Sequence, residues 1–438
     1  MTGRARVNRD AVKAATQQLH SGQEVDPTTR ARAVPINATS SFLFDSTVHA
    51  EAVFARTEVG NQYARTDNPT TQVLADRIAS LEGRPAGSGV ALSSGQAATT
   101  SVMLAISTPS REWVVSTHLF GGTAAVAGKI LEPFGVRWRF VAPDADAVRE
   151  VVGPDTVGVW VETIANPSGY VADIPAIAEV AHEAGAPLVV DNTFGAGGYL
   201  CRPLEQGADA LIHSTTKWIG GHGVAIGGAV VDGGTFDWGA DRERFPGFSK
   251  PNVRGKSVLE TNPEAPLAER VIDLGLSTMG MTLSPFASFL FLQGLETLSL
   301  RVQRACDQAL HLAQRLGELE GVDHVVYPGL PSHPSHEVAK RVLENGFGTV
   351  MGLVCDSEEI ARGTLDRFEL VSHLANIGDA KTVAIHPWTT THSGLTPEAR
   401  RAAGVTPEMV RISIGIEDMG DLWNDITQAL RGAVQASR

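Results

Sequence analysis

The sequence predicts an α/β protein with a mostly parallel sheet covered by helices, followed by a smaller α+β region. Three observations carry this. From about Thr70 to Gly280, short apolar runs alternate with helix-like stretches, the pattern of parallel strands joined by crossover helices. Two of those runs end in chemically active residues, Asp191 and the Ser214–Lys217 group, as expected where strand carboxyl ends open onto a ligand crevice. From Ser284 onward the pattern changes, with a long amphipathic helix predicted over Glu296 to Leu319. We therefore divide the chain into an arm (1–69), a main domain (70–283) and a C-terminal α+β domain (284–438).

Taken in order, the first sixty or so residues are polar and proline-punctuated, which suits an arm better than a core. Ala91-Leu92-Ser93-Ser94-Gly95-Gln96-Ala97-Ala98 reads as a strand, a glycine turn and a helix rich in small residues. The N–H groups at such a helix start can cradle a phosphate, although Ser-Gly before a helix is also an ordinary cap. Strands are further predicted at Val114-Val115, Val157 to Val161, Leu188 to Val190, Ala210 to Ile212 and Ile226 to Val231. No internal repeat or low-complexity tract interrupts this order.

Chemistry concentrates in His213-Ser214-Thr215-Thr216-Lys217-Trp218-Ile219-Gly220-Gly221-His222-Gly223. A short buried strand would carry Lys217 into a pocket, where desolvation lowers its pKa and lets the amine attack an aldehyde. Ser214 and Thr216 supply hydroxyls for an anion. Gly221, Gly223 and Gly227 do not space as a dinucleotide loop. Upstream, Pro187-Leu188-Val189-Val190-Asp191-Asn192-Thr193-Phe194 ends a strand in an acid. Asp191 there can pair with a pyridine nitrogen, or simply open a turn. A Schiff-base lysine, an acid for the ring and an anion-binding rim are what pyridoxal phosphate (PLP) requires. Phe120, in His118-Leu119-Phe120-Gly121-Gly122-Thr123, could stack on that ring. Read alone, it is equally a core aromatic beside a turn.

The Ser-Ser-Gly-x-Ala-Ala turn, the Val-Asp-Asn-Thr-Phe strand end and the His-Ser-x-Thr-Lys-x-x-x-Gly-His segment occur together and in this order. As a set they resemble the Cys/Met-metabolism PLP enzymes of fold type I. That family includes cystathionine γ-synthase, cystathionine lyases, methionine γ-lyase and O-acetylhomoserine sulfhydrylase. The resemblance runs from about Thr39 to Glu417. It implies an aspartate-aminotransferase-like fold with PLP as cofactor. It further implies that Lys217 forms the Schiff base, Asp191 pairs with the ring, and Ser94, Gly95, Gln96, Ser214 and Thr216 hold the phosphate. Phe120 would stack on the ring. Tyr63 and Arg65 match a Tyr-x-Arg that reaches a neighbouring subunit's phosphate, with Tyr63 also near the substrate and the chemistry. Arg411 matches the arginine that grips the substrate carboxylate, for which a bidentate guanidinium is suited. Asn166, in Glu162-Thr163-Ile164-Ala165-Asn166-Pro167, and Thr382 would complete the cofactor and substrate contacts.

Three features are most similar to O-acetylhomoserine sulfhydrylases: Leu374 to Pro387 with Thr390-Thr391-His392, the insertion from about Asp237 to Ala268, and Leu283-Ser284-Pro285-Phe286 with Gln293 to Leu298. They imply γ-replacement on O-acetyl-L-homoserine with sulfide or methanethiol, giving homocysteine or methionine and acetate. Lys217 would remove the α-proton, the γ-acetate would leave, and the thiol would add at Cγ. Two departures keep other readings open. Phe120 stands where relatives carry tyrosine, which favours a leaving group needing little acid help. Trp388 stands where sulfhydrylases carry a small residue and would reshape the nucleophile's entrance. The alternatives are a non-sulfide nucleophile in specialised metabolism, and γ-elimination.

Composition narrows the setting. The 438 residues suffice for two or three domains, and a net charge of −13 argues against a nucleic-acid surface. Met1 to Val7 opens no long apolar segment, so neither a signal peptide nor a membrane partner is expected. Cys201, Cys306 and Cys355 are scattered, which suits a reducing, cytoplasmic setting. Ser332-His333-Pro334-Ser335-His336 is read as a loop leading into a helix, and no metal site is expected. Tyr63 and Arg65 imply a homodimer or homotetramer with shared sites.

Overall fold

The computed structural model describes residues 12–55, 57–58, 60–252 and 255–438. The stretch Met1 to Val7 lies outside these. A seven-stranded sheet forms the main body, from β1 (Gly89–Leu92), β2 (Glu112–Ser116), β3 (Arg137–Val141), β4 (Thr156–Glu162), β5 (Leu188–Asp191), β6 (Ala210–His213) and β7 (Gly228–Asp232). Its order is β1-β7-β6-β5-β4-β2-β3. Strands β3, β2, β4, β5 and β6 are mutually parallel, while β7 runs antiparallel to both β6 and β1.

The central strands are apolar on both faces because helices cover both. Alternation sends Leu188, Val190 and Leu211 to one core with Leu74 and Ile78 of the helix Pro69–Leu81. It sends Val189, Ala210 and Ile212 to another with Trp113, Trp160 and Val102. The 237–268 insertion adds an aromatic cap to this second core, with Trp238 stacked on Phe248 at 4.2 Å.

The strand predicted from Ile226 begins only at Gly228, and Ile226 is an exposed cavity-edge residue. Strand β3 was not expected. The long helix spans Leu298–Leu316, separated at Thr297 from the helix Pro285–Glu296, which Ser284 caps. The smaller sheet holds β8 (Val322–Val326), β9 (Val350–Cys355), β10 (Ser372–His373), β11 (Val383–Ile385) and β12 (Met409–Ser413), in the order β10-β11-β12-β9-β8. Helices Leu298–Leu316 and Met419–Ala436 bury their apolar faces against it. Arg301 joins the two parts, donating to Trp218 O at 3.1 Å and Gly294 O at 2.7 Å. His336 begins a helix, and His333 donates from Nε2 to the Ser168 carbonyl at 3.1 Å while its Nδ1 accepts from Ser335 N at 3.3 Å. Among the described residues no cluster could hold a metal, and no helix is long and apolar enough to cross a membrane.

Candidate functional site

Because β4, β5 and β6 are parallel, their carboxyl ends meet along one edge. There they wall a cavity of about 390 Å³, lined among others by Asp191, Ser214, Thr216, Lys217, Phe120 and Arg411. The apolar body of each strand is buried, so the first polar residues past it are thrust into the crevice.

Lys217 follows β6 after a tight turn, with Lys217 N on Ser214 O and Gly220 N on Thr215 O. Its Nζ donates to Asn376 Oδ1 at 2.7 Å. Burial, with Arg411's charge adding to it, lowers the amine to about 8. Asp191 ends β5 and accepts from Thr193 N at 3.0 Å. Burial raises its carboxyl above the usual range; the Thr193 bonds and His213 act against that. His213 lies behind the strand tips, fully buried and 2.8 Å from Glu82 Oε1.

The helix Gly95–Ile106 points its N-terminus at the cavity, with Ser94 as cap. First-turn N–H groups have no intrahelical acceptor, and the helix end favours an anion. Glycine is needed at 95, since a Cβ there would stand 2.8 Å from Ser214 Cβ. Gln96 Nε2 donates to Gly122 O at 3.0 Å, tying this helix start to the Phe120 turn. Phe120 is 40 % exposed and lines the cavity; a Cβ on Gly122 would fall 2.4 Å from its ring. The Thr216 hydroxyl is engaged with Gly227, donating to its carbonyl at 3.2 Å and accepting from its N–H at 3.1 Å.

Arg411 lies in the middle of β12, 3 % exposed. It donates through Nη1 to Asn166 Oδ1 at 3.2 Å and through Nη2 to Asn376 O at 2.9 Å. Among the described residues its Nε has no partner. A buried guanidinium with an unspent donor suits a carboxylate ligand. Burial lowers it only to about 10, so it stays charged. His392 beside it is driven down to about 4, by burial first and then by Arg411 and Arg400.

The structure thus brings Ser94, Gly95, Gln96, Phe120, Asn166, Asp191, Ser214, Thr216, Lys217 and Arg411 to one cavity. It leaves three expected residues off that lining. Tyr63 is 47 % exposed, and Arg65 bonds Ser277 O with its guanidinium over the Tyr63 ring at 5.7 Å. Thr382 is buried away from the cavity: its hydroxyl donates to Glu417 Oε2 at 2.8 Å and accepts from Gly415 N at 2.9 Å. These bonds link the strand ends of the smaller sheet and keep the Thr382 hydroxyl off the cavity lining. Trp388 is likewise off that lining and lies under Arg400 and Arg401 at 4.8 and 5.3 Å.

Of the lining residues that the sequence did not single out, two bear directly on the chemistry. Asn376 meets both Lys217 and Arg411. Glu162, at the tip of β4, stands in register with Asp191. Its carboxyl is raised well above the usual range by burial and by the neighbouring Asp191, against bonds from Phe120 N and Asn166 N.

These residues fit PLP by their own chemistry. A lowered lysine amine, a buried acid, a helix N-terminus closed by Ser214 and a flat aromatic face surround one cavity. The chain belongs to the Cys/Met metabolism PLP-dependent enzyme family, which it matches over residues 15–431. Within that class it is a PLP-dependent transferase of the O-acetylhomoserine sulfhydrylase-like type. It is 43% identical over 422 residues to homocysteine synthase of Schizosaccharomyces pombe, covering 95% of this chain and 98% of that one. It is 42% identical to the sulfhydrylase FUB7 of Fusarium oxysporum, covering 95% and 97%. A crystal structure of a putative O-acetylhomoserine (thiol)-lyase from Campylobacter jejuni, carrying N'-pyridoxyl-lysine-5'-monophosphate, superposes with a TM-score of 0.91 at 31% identity. That match covers 96% of this chain and 100% of the other.

Proposed function

We propose that this enzyme performs γ-replacement on O-acetyl-L-homoserine, with sulfide or methanethiol as nucleophile, giving homocysteine or methionine and acetate. One observation carries the reading: Asn376 joins the lysine amine to the carboxylate-binding arginine. An α-amino acid held by Arg411 and Asn166 would thereby present its Cα beside Lys217. Bound PLP supplies an electron sink for carbanions at Cα and Cβ. Asp191 would accept a hydrogen bond from the ring N–H and so keep that nitrogen protonated. Ser94, Gly95, Gln96 and Ser214 would bind the phosphate, Thr216 joining them once its hydroxyl turns from the Gly227 carbonyl, and Phe120 would cover the ring.

Lys217, with its amine at about 8, is roughly one-tenth neutral at pH 7, enough for a base that must also return a proton. It moves the proton between Cα and its own Nζ. Phe120 lacks a hydroxyl, so nothing at that position protonates the leaving group; acetate, a weak base, departs without such help. The lining is rich in apolar side chains, including Phe120, Ile226, Ala375 and Ile377. This supports a second reading in which a larger, non-sulfide nucleophile enters.

Tyr63 and Arg65, off their own chain's cavity, are proposed to serve the phosphate and substrate of a neighbouring subunit in a homodimer or homotetramer. A cytoplasmic setting belongs to the same reading and is supported by three buried free cysteines. The test is to supply O-acetyl-L-homoserine with and without sulfide and identify products by mass spectrometry. Homocysteine formed only with sulfide is expected. Acetate and 2-oxobutyrate without homocysteine would replace the sulfide reading by γ-elimination or another nucleophile.

A further inference from the structure

Two carboxyl groups stand side by side at the strand tips, and the chemistry above uses only Asp191. Glu162 ends β4 in register with Asp191, so both side chains leave the same face of the sheet. Glu162 is 5 % exposed and lines the same cavity. Burying a second acid beside the first is unfavourable unless its hydrogen bonds are needed.

Those bonds run to two different loops. Oε1 accepts from the Phe120 N–H, and Oε2 accepts from the Asn166 N–H at 3.3 Å. Phe120 opens the glycine turn that Gln96 holds to the phosphate-side helix. Asn166 in turn accepts from Arg411. A single carboxyl group therefore connects the aromatic cover of the ring to the anchor of the substrate carboxylate.

We propose that Glu162 is a positioning residue, which fixes Phe120 and Asn166 to one point and so sets ring and substrate carboxylate in a constant relation. This rests on the cofactor placement proposed above. A carboxyl group suits the task because it offers two acceptors from one carbon. Glutamine keeps one acceptor and turns an N–H toward the other loop's N–H. Alanine leaves both backbone donors without their partner.

The experiment uses Glu162→Gln, Glu162→Ala and Asn166→Ala, alone and as the Glu162→Gln/Asn166→Ala pair. Three quantities are read: the PLP dissociation constant of the apoprotein, the visible band of the bound cofactor, and the half-saturating O-acetyl-L-homoserine concentration, followed through that band. Glu162→Gln should weaken PLP several-fold, shift the band and raise half-saturation about tenfold, with larger effects for alanine. Because Glu162 reaches the substrate carboxylate partly through the Asn166 side chain, the pair's loss in half-saturation should fall short of the two single losses combined. If Glu162→Ala does not fold, the near-isosteric glutamine decides. Variants that lose only thermal stability, keeping the wild-type band and half-saturation once loaded, overturn the proposal. So do fully additive losses in the pair. A wild-type protein that takes up no PLP overturns the cofactor placement itself, which the Glu162 variants alone cannot do.

Discussion

Replacing Arg411 by lysine tests the substrate anchor while keeping its charge. The guanidinium donates to Asn166 Oδ1 at 3.2 Å and Asn376 O at 2.9 Å, and keeps Nε unspent. An ammonium at the end of a flexible stem cannot hold both asparagines and a carboxylate in one plane. At least one charge-assisted bond to the substrate is lost, and each contributes about 1.5–3 kcal/mol. Half-saturation by O-acetyl-L-homoserine should therefore rise roughly ten- to 150-fold. The phosphate end of the cavity is untouched, so PLP affinity should stay within about twofold. The assay titrates PLP-loaded Arg411→Lys with the substrate and, separately, with its carboxamide analogue. Both proteins should bind the amide equally poorly, because the bond at issue needs the carboxylate. An unchanged half-saturation, or an equal loss for acid and amide, would refute the anchor.

Lys217 predicts a pH dependence for cofactor capture. Its pKa is lowered, so the neutral amine is favoured in the folded state, and the capture rate should climb about tenfold per pH unit below 8 and level off above it. Stopped-flow absorbance from pH 6 to 9 decides this; a flat profile contradicts it. The same lowering makes apoprotein stability rise with pH between about 8 and the ordinary lysine value of 10.5, since the unfolded chain binds more protons there. Lys217→Met should abolish that increment in denaturant titrations. Gly95→Ala places a Cβ against Ser214 and should weaken PLP about tenfold or more, measured by apoprotein titration, with little effect on half-saturation of the loaded enzyme. Mixing inactive Lys217→Ala with an inactive Tyr63→Phe/Arg65→Ala variant should restore about a quarter of the activity if subunits share sites, and none if each chain is self-sufficient.

The strand tips were legible because chemistry there is local. Leu188-Val189-Val190 must be buried and Asp191 cannot easily be, so the sequence itself marks where the strand emerges. The same logic found Lys217. Strand β3 escaped because it is an edge, where Arg137, Arg139 and exposed Phe140 erase the apolar run. Glu162 sat in a quoted segment, yet its partners are set by strand register, which no local pattern encodes. Asn376 meets Lys217 across 159 residues, a contact that only docking of the smaller sheet creates. The Thr382 hydroxyl's partner was hidden for the same reason. Glu417, which claims its hydroxyl, lies 35 residues away.

The glycines at the start of the helix Gly95–Ile106 and of β7 limit how this enzyme can be altered. A Cβ on Gly228 would lie 2.1 Å from Ser94 O, and one on Gly95 would stand 2.8 Å from Ser214 Cβ, so neither position has room for a side chain. Random mutation there has almost no tolerated outcomes. Elsewhere the lining includes apolar side chains, among them Ile226, Ala375 and Ile377. A library aimed at new nucleophiles should spend its diversity on Ile226, Ala375 and Ile377, which can change volume while the proposed cofactor seat stays fixed.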